Sequence, residues 1–133
     1  MTSTLPTDRN RMLVLRAVSR FGAGDIAGFT ELLGEHFISH NPRVAHDPAM
    51  QSGRQAFADY LIGPGSAHLR GATVAAKHLL ADADMVAVHT HVATPQGDLA
   101  TVDLFRVHDG KIVEHWDVVQ PVPDKVPHPH GMF

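Results

Sequence analysis

The chain has 133 residues, 44% of them hydrophobic and 19% charged, with a formal net charge of -3 and no cysteine. That length supports a single domain over residues 1–133 with room for a modest internal pocket. The mild acidity gives no electrostatic footprint for nucleic acid or an anionic membrane, and the missing cysteines remove disulfides, thiolate nucleophiles and thiolate metal sites. No apolar run reaches the about 20 residues of a membrane span, and no signal-peptide segment is evident, so the expectation is a cytoplasmic protein.

In chain order, Thr7 can cap a first helix to about Phe21, with Met12, Leu15 and Val18 as its apolar stripe. Gly22 and Gly24 interrupt it, and Asp25 opens a second helix through Leu33, stopped by Gly34. His36–His40 is a short extended segment halted by Asn41-Pro42, and a loop follows to residue 51. Ser52 and Gln55 form a capping box for a third helix that buries Phe57, Tyr60 and Leu61 and ends at Gly63-Pro64-Gly65.

From residue 70 the pattern changes to strands, predicted over Thr73–Leu80, Met85–Thr94, Leu99–His108 and Lys111–Val119. Turns at Asp82-Ala83-Asp84, Pro95-Gln96-Gly97 and Asp109-Gly110 join them as an antiparallel meander. Helices collected before such a sheet imply an α+β domain, with a curved sheet wrapped over the helices. Residues 120–133 contain four prolines and are predicted as a C-terminal tail outside the central strands.

His115 and Asp117 stand two apart on the last strand and therefore point to one face. A carboxylate against apolar surface is a candidate general base, because desolvation raises its pKa toward neutrality. Taking Asp109-Gly110 as a regular two-residue hairpin sets Leu104 opposite His115 and Val102 opposite Asp117. The expected pocket face is then Val102, Leu104, Arg106, Val113, His115, Asp117 and Val119, with Asp103 on the other side. Both faces are largely apolar, which suggests a partner subunit over the second one and hence a homodimer. His89 and His91 share a face of the preceding strand. A four-residue loop at Pro95–Asp98 puts His91 opposite Val102, on the expected Asp117 side, whereas a three-residue loop turns both histidines away. The first gathers polar groups at one place and is the preferred register.

Eleven histidines raise the question of a metal. His89 and His91 with His40, His115 or Asp117 could supply three or four ligands, but no helical HExxH is present, and metal is the weaker reading. A nucleophilic serine elbow and a phosphate-binding glycine loop are both missing.

At His40-Asn41-Pro42 and the later run DLFRVHDGKIVEHWDVVQ, the chain resembles the SnoaL-like polyketide cyclase branch of the nuclear transport factor 2-like superfamily. The resemblance spans most of the chain, with GKIVEHWD its more specific part. It implies a cone-shaped α+β barrel, in which three N-terminal helices pack in a strongly curved antiparallel sheet around an apolar pocket, and usually a homodimer. It also implies a cofactor-independent intramolecular aldol cyclisation in which an aspartate is the acid/base, a position matched here by Asp117. A strand histidine assists in such cyclases, and His91 is its expected match. The resulting expectation is proton abstraction next to a carbonyl on a small hydrophobic substrate. Asp117, His115 and His91 would be catalytic, and His40, Asn41, Tyr60, Val102, Leu104 and Val113 would line the binding site. The same superfamily leaves open a non-catalytic hydrophobic-ligand binder and an epoxide hydrolase, the latter needing more than one pocket carboxylate.

Overall fold

The computed structural model describes residues 5–133. Helix α1 (Pro6–Gly22) is followed by a short α2 (Ile26–Thr30), strand β1 (Leu33–Ser39), α3 (Gly53–Ile62) and a 3₁₀ turn (Pro64–Leu69). Strands β2 (Thr73–Asp82), β3 (Met85–Thr94), β4 (Gly97–His108) and β5 (Lys111–Pro121) complete one sheet in the order β1-β5-β4-β3-β2. The helices lie against one side of the sheet, and the architecture is the expected α+β arrangement.

Helix α1 begins one residue before Thr7, with Leu5 as an N-cap that makes no side-chain cap bond. Pro6 takes the first helical position, where its fixed φ suits the helix and its missing N–H costs nothing. The buried stripe is Leu13, Val14 and Ala17, joined by Val18 and Phe21, while Met12 and Leu15 are exposed. The run Met12-Leu13-Val14-Leu15 is apolar at every position, so local periodicity does not choose its phase; packing does.

Asp25 caps α2 by accepting from the Gly28 N–H at 2.9 Å, but α2 stops at Thr30, and Leu33 begins a strand rather than ending a helix. Ser52 caps α3 through the Gln55 N–H (3.1 Å), as its motif predicts. The Gln55 side chain does not close the box and reaches Asp59 instead, at 2.8 Å. Gly53 is required where α3 meets β1, because a Cβ there would overlap the Phe37 carbonyl oxygen.

The β3 boundaries match the sequence reading, and the Asp109-Gly110 hairpin has positive φ at both residues (49° and 73°) with His108 paired to Lys111. Besides a register shift between β2 and β3 at Ala76/His78, three features differ from a simple meander. Strand β1 joins the sheet parallel to β5, which makes β5 an interior strand. Strand β5 runs on to Pro121, opposite Leu99, so the tail begins two residues later than predicted.

The third difference decides the site. Val107 pairs with Ile112 but Arg106 pairs with Glu114, leaving Val113 as the extra residue of a β-bulge. Beyond it every residue of β5 changes face relative to a regular hairpin. Phe105 therefore stands opposite His115, and Asp103 opposite Asp117.

The core holds Val14, Leu33, Phe37, Val86, Val88 and Ile112, all almost fully buried. Ile112 enters it on the same side as His115 and Asp117 only because the bulge absorbs one residue between them.

Candidate active site

Between the helices and the inner face of the sheet lies a cavity of about 470 Å³. Its walls are mostly apolar, with Phe21, Phe29, Phe57, Leu61 and Val92 from the surrounding elements. The polar groups on it come from β3, β4, β5, α3, the 3₁₀ turn and the Asn41–Arg43 loop.

Alternation along β4 and β5 delivers Thr101, Asp103, Phe105, His115, Asp117 and Val119 to this wall. His115 is 6% exposed and lies among Phe105 (ring centroids 4.8 Å apart), Phe57 (6.0 Å) and Phe37 (6.4 Å). Among the described residues, the one hydrogen bond of its imidazole is Nε2 with Asp103 Oδ1 at 2.8 Å. Asp103 also accepts from Thr101 Oγ1 (3.3 Å), so this carboxylate is supported at both oxygens. In the tautomer that donates Nε2–H to Asp103, Nδ1 carries the lone pair. That atom is buried and has no hydrogen-bond partner among the described residues.

Asp117 is half-buried. Its Oδ2 accepts from Asn41 Nδ2 at 3.0 Å, while Oδ1 is buried and unpartnered. Burial pushes the Asp117 carboxyl above the usual aspartate range, with the nearby Asp103 charge adding to the shift and His115 and the Asn41 bond opposing it. The same asparagine also shapes the loop, since its Oδ1 accepts from the Arg43 N–H at 2.8 Å in an Asx turn. One amide thus fixes both the loop and the carboxylate.

At the mouth, the Arg43 guanidinium donates to His68 Nε2 (3.3 Å) and sits near the Tyr60 hydroxyl. Burial raises the Tyr60 pKa, opposed by Arg43, so the phenol stays protonated at neutral pH. Burial and then Arg43 lower the pKa of His68.

The structure brings together Asp117, His115, Asn41 and Tyr60 among the residues singled out from sequence. Val102 and Leu104 face the opposite side of the sheet, because the bulge at Val113 exchanges the faces of β5 relative to β4. Val113 itself packs on Gly34 at the bulge and does not line the cavity.

His91 is also outside. The β3–β4 loop has two residues, Pro95 and Gln96, pairing Thr94 with Gly97 and His91 with Ala100. Two- and four-residue loops give His91 the same face, so it does share the Val102 side; it is Asp117 that left that side. There His91 bonds Asp98 (2.9 Å) and stacks on Phe133 (4.3 Å), and His89 stacks on His78 (5.4 Å). These histidines do not join the metal set considered from sequence. His40 is likewise on the outer face, stacked on Trp116 (4.8 Å) with Nε2 against Glu114 Oε2 at 2.8 Å.

Sequence reasoning missed Asp103, Arg43 and His68. A signal for Asp103 exists: pairing Arg106 with Glu114 while His108 pairs with Lys111 requires one extra residue in β5. Potential ligand atoms of Asp103, His115 and Asp117 lie within 4.8 Å of one another, a spacing that could also receive a metal ion.

The model of the SnoaL-like domain matches residues 14–115. The chain belongs to the SnoaL-like family. The match ends at His115, so Asp117 lies just beyond the matched residues. No curated protein matches the sequence. Among solved structures, a proposed ketosteroid isomerase from Kribbella flavida DSM 17836 superposes with a TM-score of 0.72 at 21% identity, covering 96% of each chain. IdmH, a proposed polyketide cyclase from Streptomyces antibioticus, gives 0.68 at 20% identity over 83% of this chain and 91% of its own. A nuclear transport factor 2-like protein of unknown function from Cytophaga hutchinsonii ATCC 33406 gives 0.67 at 13% identity, over 90% and 95%. At these identities the likeness establishes the nuclear transport factor 2-like fold of this SnoaL-like chain, not its reaction.

Proposed function

We propose that this SnoaL-like protein is a cofactor-independent acid/base enzyme that removes a proton next to the carbonyl of a small hydrophobic substrate, in the manner of a cyclase or isomerase. The observation that carries this reading is the pair of buried, unpartnered atoms on the cavity wall, Asp117 Oδ1 and His115 Nδ1. Buried polar atoms are seldom left unpaired, and a bound substrate would give both a partner.

Asp117 Oδ1 takes the proton from carbon, the C–H electron pair moves into the enolate, and the Asp117 acid later returns the proton to carbon or oxygen. Its raised pKa suits that work near neutral pH. Asn41 holds the other carboxylate oxygen in place. His115, oriented by Asp103, accepts a hydrogen bond from a substrate hydroxyl at Nδ1. The neutral Tyr60 phenol, on the same cavity, supplies a donor for the developing oxyanion. His91 and His40 have no place in this scheme, since both lie across the sheet. In this reading the protein works in the cytoplasm as a homodimer, with the outer-face residues Val102, Leu104 and Val118 exposed in the monomer and covered in the pair.

A second reading, epoxide hydrolysis, gains from the corrected register. Asp103 and Asp117 are direct cross-strand partners on the cavity wall, so two carboxylates are present where a regular hairpin would leave one. The test is solvent-deuterium exchange next to the carbonyl of apolar ketones such as 2-tetralone, run beside hydrolysis of styrene oxide. Wild type should accelerate exchange, and Asp117→Asn should lower it by roughly 100-fold or more with the fold intact. Hydrolysis without exchange would select the second reading.

A further inference from the structure

We propose that the cavity mouth is a carboxylate-binding subsite centred on Arg43, and that the ligand is an apolar-bodied carboxylic acid with its anionic end at the mouth. The inference rests on the cavity being a substrate site, and it names the class of substrate that site takes.

Arg43 lines the cavity, yet no carboxylate of the described residues pairs with it. Among the described residues its guanidinium bonds His68, whose pKa is lowered by burial and by Arg43 itself, and lies near the neutral Tyr60 phenol. A guanidinium carries five N–H donors in a planar fork suited to a carboxylate, so most of that fork remains unused. The loop that presents it is not slack, because the Asn41 Oδ1 bond to the Arg43 N–H and the Val44 N–H bond to the Asn41 carbonyl (3.2 Å) fix the turn. The Tyr60 hydroxyl, also on the cavity and held protonated by burial, has a proton to donate.

Charge placement then orients the ligand. Asp103 and Asp117 stand on the sheet wall, and Arg43 is presented to the same cavity by the 41–43 loop, with its guanidinium turned to His68 of the 3₁₀ turn. An anionic group is repelled from the carboxylate wall and held at the arginine, while Phe21, Phe57 and Leu61 enclose an apolar body. The carbon to be deprotonated is thereby directed at Asp117, and the same asymmetry rejects a ligand entering the other way round. Because Arg43 is exposed, solvent screens the pair, and the expected gain is nearer tenfold than a thousandfold.

Calorimetric titration with naphthalene-2-carboxylate and the neutral 2-naphthamide separates this subsite from general apolar binding. In wild type the acid should bind about tenfold more tightly than the amide. Arg43→Gln should abolish that preference while keeping the amide affinity, which also reports an intact cavity. Equal affinity of acid and amide in wild type, a preference that survives in Arg43→Gln, or binding of neither compound would each overturn the proposal. Failure of the catalytic reading would appear separately, as missing deuterium exchange in a protein that still prefers the acid.

Discussion

Replacing Asp103 tests whether the Asp103–His115 pair is a working unit of the site. His115 is buried among three phenylalanines, and among the described residues Asp103 is the one hydrogen-bond partner of its imidazole. In Asp103→Val the Nε2–H loses its acceptor and bears the desolvation of a buried donor, about 1–3 kcal/mol. The Asp103 side chain is 23% exposed, so water can replace part of the lost bond, and about 2 kcal/mol is the reasoned value. In a domain of this size that corresponds to a fall in Tm of roughly 6 °C. Asp103→Asn keeps an acceptor and loses only the charge assistance, about 1 kcal/mol. Urea unfolding of wild type, both variants and His115→Phe provides the measurement. On the His115→Phe background, Asp103→Val should cost little, since the donor it would orphan is gone. If Asp103→Val is as stable as wild type, or costs the same with and without His115, the pair is not coupled and the imidazole is not oriented by Asp103.

Other consequences concern pH, the outer histidine and metal. The folded-state pKa of Asp117 is raised by burial, so its contribution to stability is full below the ordinary aspartate value and is lost as pH rises through the raised folded value. Asp117→Asn should therefore melt at or above the wild-type temperature at neutral pH, with the difference closing in acid; a lower Tm at neutral pH would show a structural carboxylate. His91→Ala should leave deuterium exchange within about twofold of wild type, because small surface changes away from a site are near neutral; a hundredfold loss would return His91 to the catalytic set. Dialysis against EDTA should leave exchange unchanged. Activity lost to chelation and restored by a divalent cation would reassign Asp103, His115 and Asp117 to a metal centre.

The parts of this fold written in local chemistry could be read from sequence. Asp109-Gly110 needs only two residues willing to take positive φ, and Ser52 needs only the N–H three residues on. The β3 alternation of Val86, Val88, Thr90 and Val92 is equally local. What remained hidden depends on partners distant in the chain. The phase of α1 is chosen by the sheet it packs on, and the parallel seat of β1 beside β5 joins residues some eighty positions apart. The bulge at Val113 is decided by Ile112 entering the core while Arg106 meets Glu114, and one residue there moved Asp103 into the site and Val102 and Leu104 out of it. His115 and Asp117 kept each other's company through this change because they lie on the same side of the bulge. Arg43 carried no motif of its own; its role comes from the turn that Asn41 closes.

The most direct test of the central claim is the titration of the Asp117 carboxyl in the intact protein, followed by carbon-13 NMR and compared with the pH profile of deuterium exchange. The Asp117 pKa should lie above the ordinary aspartate range, and exchange should rise as that same group ionises. An Asp117 that ionises in or below the ordinary range, or exchange that ignores its titration, would contradict that claim.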